Sequence, residues 1–375
     1  MSAKTRKVLK MVLILLLTTL IMDFTIFSLL GRILNRTENS KRKEASVGAR
    51  SLHEQLLVAD MHADSLLWNR DLLRHGNWGH VDLPRLIEGN VALQAFTVIT
   101  ENTLPVVIVD RWPMWTWNNK LGRAIHQAER FQQIAAASGG KLSFIKTRGD
   151  LNKYLERRKS EQRITAGFLG VEGAQSLNGD LVNLETLYDA GFRMLGIAHF
   201  SDNEFGGSSS GASGSGLTQR GRTLIKKMEE RGMLVDLAHA SPQVIEDVLE
   251  IAERPLIVSH TGVQGTCNNS RNLSDYELKR IGQNGGVICI GYWKVATCGN
   301  DLDAIVRSIR YAVDLAGIDH VGLGSDFDGG ITTPIDVSEL VQITDALLED
   351  KFSEGEIRKI MGENVIRLLL SNLPE

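Results

Sequence analysis

Met233-Leu-Val-Asp-Leu-Ala-His239-Ala-Ser241-Pro242-Gln-Val-Ile-Glu-Asp-Val-Leu-Glu-Ile-Ala252-Glu-Arg-Pro-Leu256-Ile-Val-Ser259-His260 holds the unit from which most of this chain is built. Met233–Ala238 and Leu256–Ser259 are near-continuous apolar runs, as expected of strands buried on both faces of a parallel sheet. Between them Ser241 stands as an N-cap before a proline at the first helical position, ahead of Val244–Ala252. The same alternation recurs along the chain, with further apolar runs at Leu56–Met61, Val91–Ile99, Thr165–Val171, Arg193–Ala198, Gly286–Gly291 and His320–Ser325. Ser274 with Glu277 and Ser353 with Glu356 form capping-box pairs, opening Tyr276–Ile281 and a closing helix Ile357–Leu370. Gly191, Gly232 and Gly317 stand where helices should stop before the next strand. Eight strands alternating with helices predict an α/β fold, most economically a (β/α)8 TIM barrel. A doubly wound open sheet is the alternative, because periodicity does not distinguish closure from an open edge.

Two stretches interrupt the rhythm. From Glu101 to about Ile164 there is an insertion with a Trp-rich patch, Trp112-Pro-Met-Trp115-Thr-Trp117, and an amphipathic helix near Leu121–Ala136. It reads either as extra packing on the barrel or as a wall near its mouth. Ser208–Gly216 is a Gly/Ser tract with no side chains to build a core, and a flexible loop is expected there.

The composition, 43% hydrophobic and 23% charged with 7 Pro in 375 residues, is that of a folded globular chain. A net charge of -3 leaves no excess of Lys and Arg to neutralise phosphates, so nucleic acid is not an expected partner. Cys267, Cys289 and Cys298 are too few and scattered for a disulfide framework; they read as three free thiols, with one bridge as the alternative.

Val12 to Leu30 form a mostly apolar run of 19 residues, preceded by Lys4, Arg6, Lys7 and Lys10 and followed by Arg32, Arg36 and Lys41-Arg-Lys43. A helix crossing a bilayer needs about 20 residues. Asp23 inside the run costs on the order of 2.5–3.5 kcal/mol, which the surrounding aliphatics outweigh. Residues 1–34 are therefore read as an N-terminal transmembrane anchor, 35–51 as a polar linker and 52–375 as the barrel domain. A cleaved signal peptide with Met11–Met22 as its apolar part is the alternative, although no small-x-small site follows promptly. Both flanks are basic, so charge does not fix the orientation.

What stands at the end of each apolar run carries the chemistry. The first run leads to His62-Ala-Asp64, the third to Glu172, the fourth to His199, the fifth to His239, the sixth to His260 and the eighth to Asp326. In a β/α barrel these ends converge on one face, where active sites are built. A single strand-end His is commonly structural; seven such residues at the same end of six strands are not. His62 and Asp64, two apart on an extended chain, share a side and can bind one ion. His239 and His260 could hold a second, with Glu172 as a bridging carboxylate. Imidazole and carboxylate without thiolate suit Zn²⁺, and would also accept Mn²⁺ or Co²⁺. Two such ions with water between them are the usual arrangement for hydrolysis, with Asp326 placed to take the water's proton.

The strings Asp60-Met-His-Ala-Asp64, Gly170-Val-Glu-Gly173, Asp236-Leu-Ala-His-Ala-Ser241, Val258-Ser-His-Thr261, Arg271-Asn-Leu-Ser-Asp275 and Gly322-Leu-Gly-Ser-Asp-Phe-Asp-Gly329 resemble, in order and spacing, the membrane dipeptidase (renal dipeptidase) family of zinc metallopeptidases. The resemblance runs from about Leu56 to Gly362-Glu-Asn-Val-Ile-Arg367. It implies a (β/α)8 barrel with a two-zinc centre that cleaves dipeptides by a metal-bridging hydroxide and tolerates a D-residue at the C-terminal position. By match, His62 and Asp64 bind one zinc, His239 and His260 the other, and Glu172 bridges them. Asp326 matches the catalytic acid–base residue, His199 a histidine that contacts substrate and steadies the oxyanion, and Arg271 the residue that binds the terminal carboxylate. The alternative for Arg271 is a surface ion pair with Asp275. Similar proteins are often homodimers.

The loop Asn203-Glu-Phe-Gly-Gly-Ser-Ser-Ser-Gly211 is close to the pattern of bacterial rather than animal members. Animal members carry a C-terminal lipid anchor, whereas this chain ends Leu373-Pro-Glu375 without an apolar tail. Attachment to a membrane is therefore expected through the N-terminal helix, with the catalytic domain outside the cytoplasm. Two rivals share the barrel: a metal-dependent deacylase of N-acyl amino acids, and a membrane-tethered maturation or interaction protein.

Overall fold

A computed structural model describes residues 5–6, 10, 29–38, 44–101 and 112–375. Eight parallel strands form the barrel: β1 (Val58–Ala63), β2 (Val91–Ile99), β3 (Thr165–Glu172), β4 (Phe192–Gly196), β5 (Leu234–Asp236), β6 (Ile257–Thr261), β7 (Val287–Ile290) and β8 (Val321–Leu323). Each pairs with the next, β2 with β3 from Leu93↔Ala166 to Ile99↔Glu172, and β8 returns to β1 through Leu323↔Asp60. That last pairing decides for closure over an open sheet. All eight strands lie where the apolar runs fall, within three residues at either end.

The insertion supplies a ninth strand that no continuous apolar run announces. Leu142–Ile145, with its two middle residues only half-buried, lies parallel to Thr165–Phe168 at the start of β3. The helix before it, Lys120–Ala137, is capped by Asn119 and sends Phe131 and Ala128 into the core. Trp112 of the Trp-rich patch is buried with Leu67, Trp68 and Ile99, whereas Trp115 and Trp117 are exposed, so the patch both packs and stands at the mouth.

Helix ends follow the capping residues. Ser241 Oγ accepts from the Val244 N–H at 3.1 Å, and the pairs Ser274/Glu277 and Ser353/Glu356 close reciprocally. The closing helix is not continuous. Glu354–Arg358 passes through a wide turn at Lys359–Glu363 before Asn364–Asn372, because Gly362 lies against the chain entering β1: a Cβ there would stand 1.8 Å from the Leu57 carbonyl oxygen. From the second segment Val365, Ile366, Leu368 and Leu369 pack with Ala59 and Met61 of β1. The alternation of a strand then sends Asp60 and His62 inward.

Three expectations need revising. Cys267 and Cys298 form a disulfide that ties the segment after β6 to the one after β7, leaving Cys289 as a buried free thiol. The Ser208–Gly216 tract is held rather than loose, since backbone bonds replace side-chain packing: Asp202 accepts from the Ser208 and Ser213 N–H groups, the Ser208 hydroxyl donates to the His199 carbonyl, and the Ser209 N–H donates to the His239 carbonyl at 2.8 Å. The stretch 35–51 carries structure where it is described, with Arg36–Thr37 paired to Thr332–Thr333 and the helix Val47–His53 capped by Ser46. The apolar run Val12–Leu30 lies outside the described residues except for its last two; among the described residues no helix is long and apolar enough to cross a membrane.

Thiol titration of the denatured, unreduced protein should find one thiol per chain, Cys289, and three after reduction. Three without reduction would remove the bridge.

Candidate metal centre

The carbonyl ends of the strands bring seven candidates to one rim, with His62 in β1 among them. Asp64 follows β1, Glu172 ends β3, His260 lies in β6, and His199, His239 and Asp326 each stand three residues beyond β4, β5 and β8. His239 and Asp326 take left-handed backbone with φ of 61°, which costs a non-glycine residue roughly 1–2 kcal/mol. Such strain concentrates where side-chain placement matters more than backbone comfort.

Glu172 is the centre of the group. Its Oε1 lies 2.9 Å from His239 Nε2, 3.4 Å from His260 Nε2 and 3.8 Å from His62 Nε2, and its Oε2 lies 3.3 Å from His199 Nε2. His62 Nε2 is also 3.6 Å from Asp64 Oδ1 and 3.9 Å from Asp326 Oδ1. Three overlapping sets have ligand atoms within 4.8 Å of one another: His62, Glu172 and His260; Glu172, His199 and His239; His62, Asp64 and Asp326.

Charge explains why these groups need a cation. Burial opposes a charge on His62, but Asp64, Glu172 and Asp326 outweigh it and raise its pKa to about 10. Burial likewise pushes the Glu172 and Asp326 carboxyls up, and it drives His239 and His260 well below the usual imidazole range, helped by Arg271. Without a metal the proton on His62 is what balances the carboxylates around it. The donor set fits a metal: His62 Nε2 is buried with no hydrogen-bond partner, and His239 Nε2 and His260 Nε2 approach to 3.0 Å as neutral rings with lone pairs to offer.

Residues that sequence reasoning passed over hold these side chains in place. Ser259 Oγ lies 3.2 Å from His62 Nδ1 and 3.1 Å from His260 Nδ1. A hydroxyl oxygen has two lone pairs, so it can accept from both rings and leave both Nε2 atoms free for a metal. Asp60, fully buried, accepts from the His62 and Ser325 N–H groups, the Gln94 amide and the Ser325 hydroxyl, joining β1, β2 and the segment after β8. Thr97 donates to Asp64 at 2.7 Å, and Glu101 Oε2 stands 3.2 Å from His199 Nδ1. Asp60 and Ser259 lie within the quoted motifs, but only their partners reveal a role.

A cavity of about 520 Å³ opens over the cluster. Seven of the eight candidate residues line it, and His62 lies fully buried beneath. Arg271 faces the cavity with its Nη2 donating to the His260 carbonyl at 2.8 Å, while Asp275 accepts from the Tyr311 hydroxyl instead of pairing with Arg271. The cavity thus sets a guanidinium beside a carboxylate-and-imidazole cluster.

Residues 47–372 match the family model of membrane dipeptidase, peptidase family M19. The chain belongs to the membrane dipeptidase family. It is accordingly a metallopeptidase, a hydrolase acting on dipeptides. Among curated relatives, Dipeptidase tcpJ of Claviceps purpurea is 30% identical over 308 residues, 78% of this chain and 69% of its own length. An uncharacterized dipeptidase of Schizosaccharomyces pombe is 28% identical over 307 residues, 78% and 72%. Among solved structures, a dipeptidase of the same peptidase family aligns with a TM-score of 0.73 at 25% identity, covering 85% of this chain and 99% of that one. A metallopeptidase from Rhodobacter sphaeroides, liganded with a phosphinate mimic of the dipeptide L-Ala-D-Ala, shares the fold at 24% identity and a TM-score of 0.71, covering 84% and 99%.

For this family member Ser259→Ala should lower zinc affinity by about 10–100-fold, the usual effect of losing a group that orients ligand histidines, in a competition titration against a chelator. Unchanged affinity would show that Ser259 orients neither ring. Zinc added to the metal-free protein at pH 7 should also release protons, because His62 with its pKa near 10 is protonated there and must lose its proton to bind. Apparent affinity then rises with pH, about tenfold per unit for each proton displaced. A pH-independent affinity would contradict the charge state described.

Proposed function

We propose that this membrane dipeptidase hydrolyses dipeptides, including those with a D-residue at the C-terminal position, at a centre of two zinc ions. The observation that carries the reading is Glu172, one carboxylate within 3.8 Å of four imidazoles at the floor of a substrate-sized cavity. His62 and Asp64 would hold one ion and His239 and His260 the other, with Glu172 within reach of both. Bound there, the ions polarise the scissile carbonyl and lower the pKa of the attacking water. Arg271 holds the substrate's free carboxylate, a task suited to its planar fork. His199, steadied by Glu101, donates to the oxygen on which negative charge develops. Asp326, whose pKa is raised by burial, takes the water's proton and passes it to the leaving amine. The bound L-Ala-D-Ala mimic in the Rhodobacter sphaeroides metallopeptidase supports the substrate class.

The domain works outside the cytoplasm on an N-terminal anchor. The apolar run Val12–Leu30 supports the anchor, and the Cys267–Cys298 bridge is the mark of an oxidising compartment. Carbonate extraction should leave the protein in the membrane pellet, and added protease should reach the barrel in intact cells only after the outer permeability barriers are opened. Recovery in the soluble fraction would overturn the anchor.

Metal analysis combined with a panel of L,L and L,D dipeptides and N-acyl amino acids tests the activity. Two zinc ions per chain with dipeptide turnover is the expected result; turnover of N-acyl amino acids alone would favour the deacylase, and two ions with no hydrolysis an interaction protein. Asp326→Asn should retain zinc and lose a factor of about 10²–10⁴ in kcat. Arg271→Ala should mainly raise KM for dipeptides with a free carboxylate, and unchanged kinetics would remove it from the site.

A further inference from the structure

Residues 29–38 stand ahead of the span that matches the family, 47–372, yet they are built into the mouth of the barrel. Residues 29–34 are helical, and Leu30 and Leu34 pack against the cluster of Leu67, Trp68, Ile99 and Trp112. The fit is close: a Cβ on Gly31 would stand 2.5 Å from the Trp78 ring. Asn35 is buried, and its Oδ1 accepts from the Gly330 N–H at 2.9 Å. Beyond it Arg36–Thr37 pairs with Thr332–Thr333, the Glu38 N–H donates to the Thr333 carbonyl, and the Arg36 carbonyl lies 3.1 Å from His80 Nε2. His80 Nδ1 accepts from the Asp328 N–H at 3.0 Å, two residues past Asp326. A segment that only tethered the barrel would need none of these contacts.

Leu34 lines the same cavity as Glu172, Arg271 and Asp326. Its apolar neighbours there, Leu67, Trp68, Ile99 and Ile331, come from β1, β2, β8 and the segments that follow them, three adjacent strands. Arg271 and Trp293 come from the segments after β6 and β7. The cavity thus holds Arg271, beside Trp293 and Val295, and the apolar group around Leu34 on the walls above one metal-ligand cluster. A dipeptide with its carboxylate on Arg271 and its peptide carbonyl over the cluster has the apolar group around Leu34 in the same cavity to receive its amino-terminal side chain.

We infer that residues 29–38 form a strap in cis that completes the subsite for the substrate's amino-terminal side chain, with Leu34 setting a preference for apolar side chains there. The inference rests on the peptidase reading above. It makes selectivity at that position depend on residues outside the catalytic domain's family-matched span.

The test uses the full-length, zinc-loaded protein in detergent and two dipeptide series, one varying the amino-terminal residue (Gly-Ala, Ala-Ala, Leu-Ala) and one the carboxy-terminal residue (Ala-Gly, Ala-Ala, Ala-Leu). Leu34→Ala should lower kcat/KM for Leu-Ala relative to Gly-Ala by about tenfold, the scale of lost apolar contact in a specificity pocket, and leave the ratios of the second series unchanged. Leu34→Phe crowds the same subsite and should lower the Leu-Ala to Gly-Ala ratio as well, which keeps the test open where Leu34→Ala does not fold. Ile33→Ala, on the exposed side of the same helical turn, should preserve every ratio. A Leu-Ala to Gly-Ala ratio within twofold of wild type in both Leu34 variants would overturn the inference and leave the peptidase reading standing. Wild-type protein that cleaves no dipeptide in either series would overturn both.

Discussion

A carboxylate buried at the floor of a barrel and touched by four imidazoles is the constraint on which the rest of this molecule turns. An isolated buried carboxylate costs several kcal/mol, and the chain answers by bringing histidines from four separate places around Glu172, with the Arg271 guanidinium adding its charge nearby. Each arrives from a different strand end, so the strand ends must be level. Ladder pairs such as Ile99↔Glu172, Gly196↔Asp236 and Asp236↔Ile257 set that level, and closure of β8 on β1 brings Asp326 round to face His62. Burial raises the proton affinity of the Glu172 and Asp326 carboxyls and lowers that of His239 and His260, so a divalent ion arriving there meets two rings with free lone pairs and displaces protons from the groups around them.

Rigidity around the cluster is supplied by polar groups rather than by more hydrophobic packing. Asp60 ties β1 to β2 and to the segment carrying Asp326, Ser259 spans the His62 and His260 rings, and Asp236 accepts from the Ala238 and Ser259 N–H groups. Asp328 performs the corresponding task one layer out, accepting from Ser65, Arg70 and the His80 and Val81 N–H groups. Through His80 that network reaches Arg36, so the strap is mechanically continuous with the loop that carries Asp326.

The strands and the convergence of His, Asp and Glu at one rim were legible in the sequence because they obey strong local rules: apolar runs buried on both faces, and chemically apt residues at their carbonyl ends. The resemblance to a known family then assigned roles that spacing alone left open. What stayed hidden depends on contacts distant in the chain. Leu142–Ile145 has too few apolar residues to stand out as a strand and is stabilised by pairing with β3. The Cys267–Cys298 bridge is a matter of two segments meeting in space. The Ser208–Gly216 tract lacks a core, but its amides and hydroxyls bond to the backbone of His199 and His239, a form of order invisible to composition. Ser259 carries no charge and sits beside a histidine, and only the approach of His62 gives it a function.

Glu172→Gln tests the central claim most directly, since it keeps the size of the side chain and removes the charge on which the cluster is organised. Zinc per chain, measured by elemental analysis on the purified full-length protein beside wild type, is the quantity to follow. The account predicts two ions in wild type and at most one in Glu172→Gln, with dipeptide hydrolysis lost alongside. Two ions retained in Glu172→Gln with wild-type turnover would contradict it.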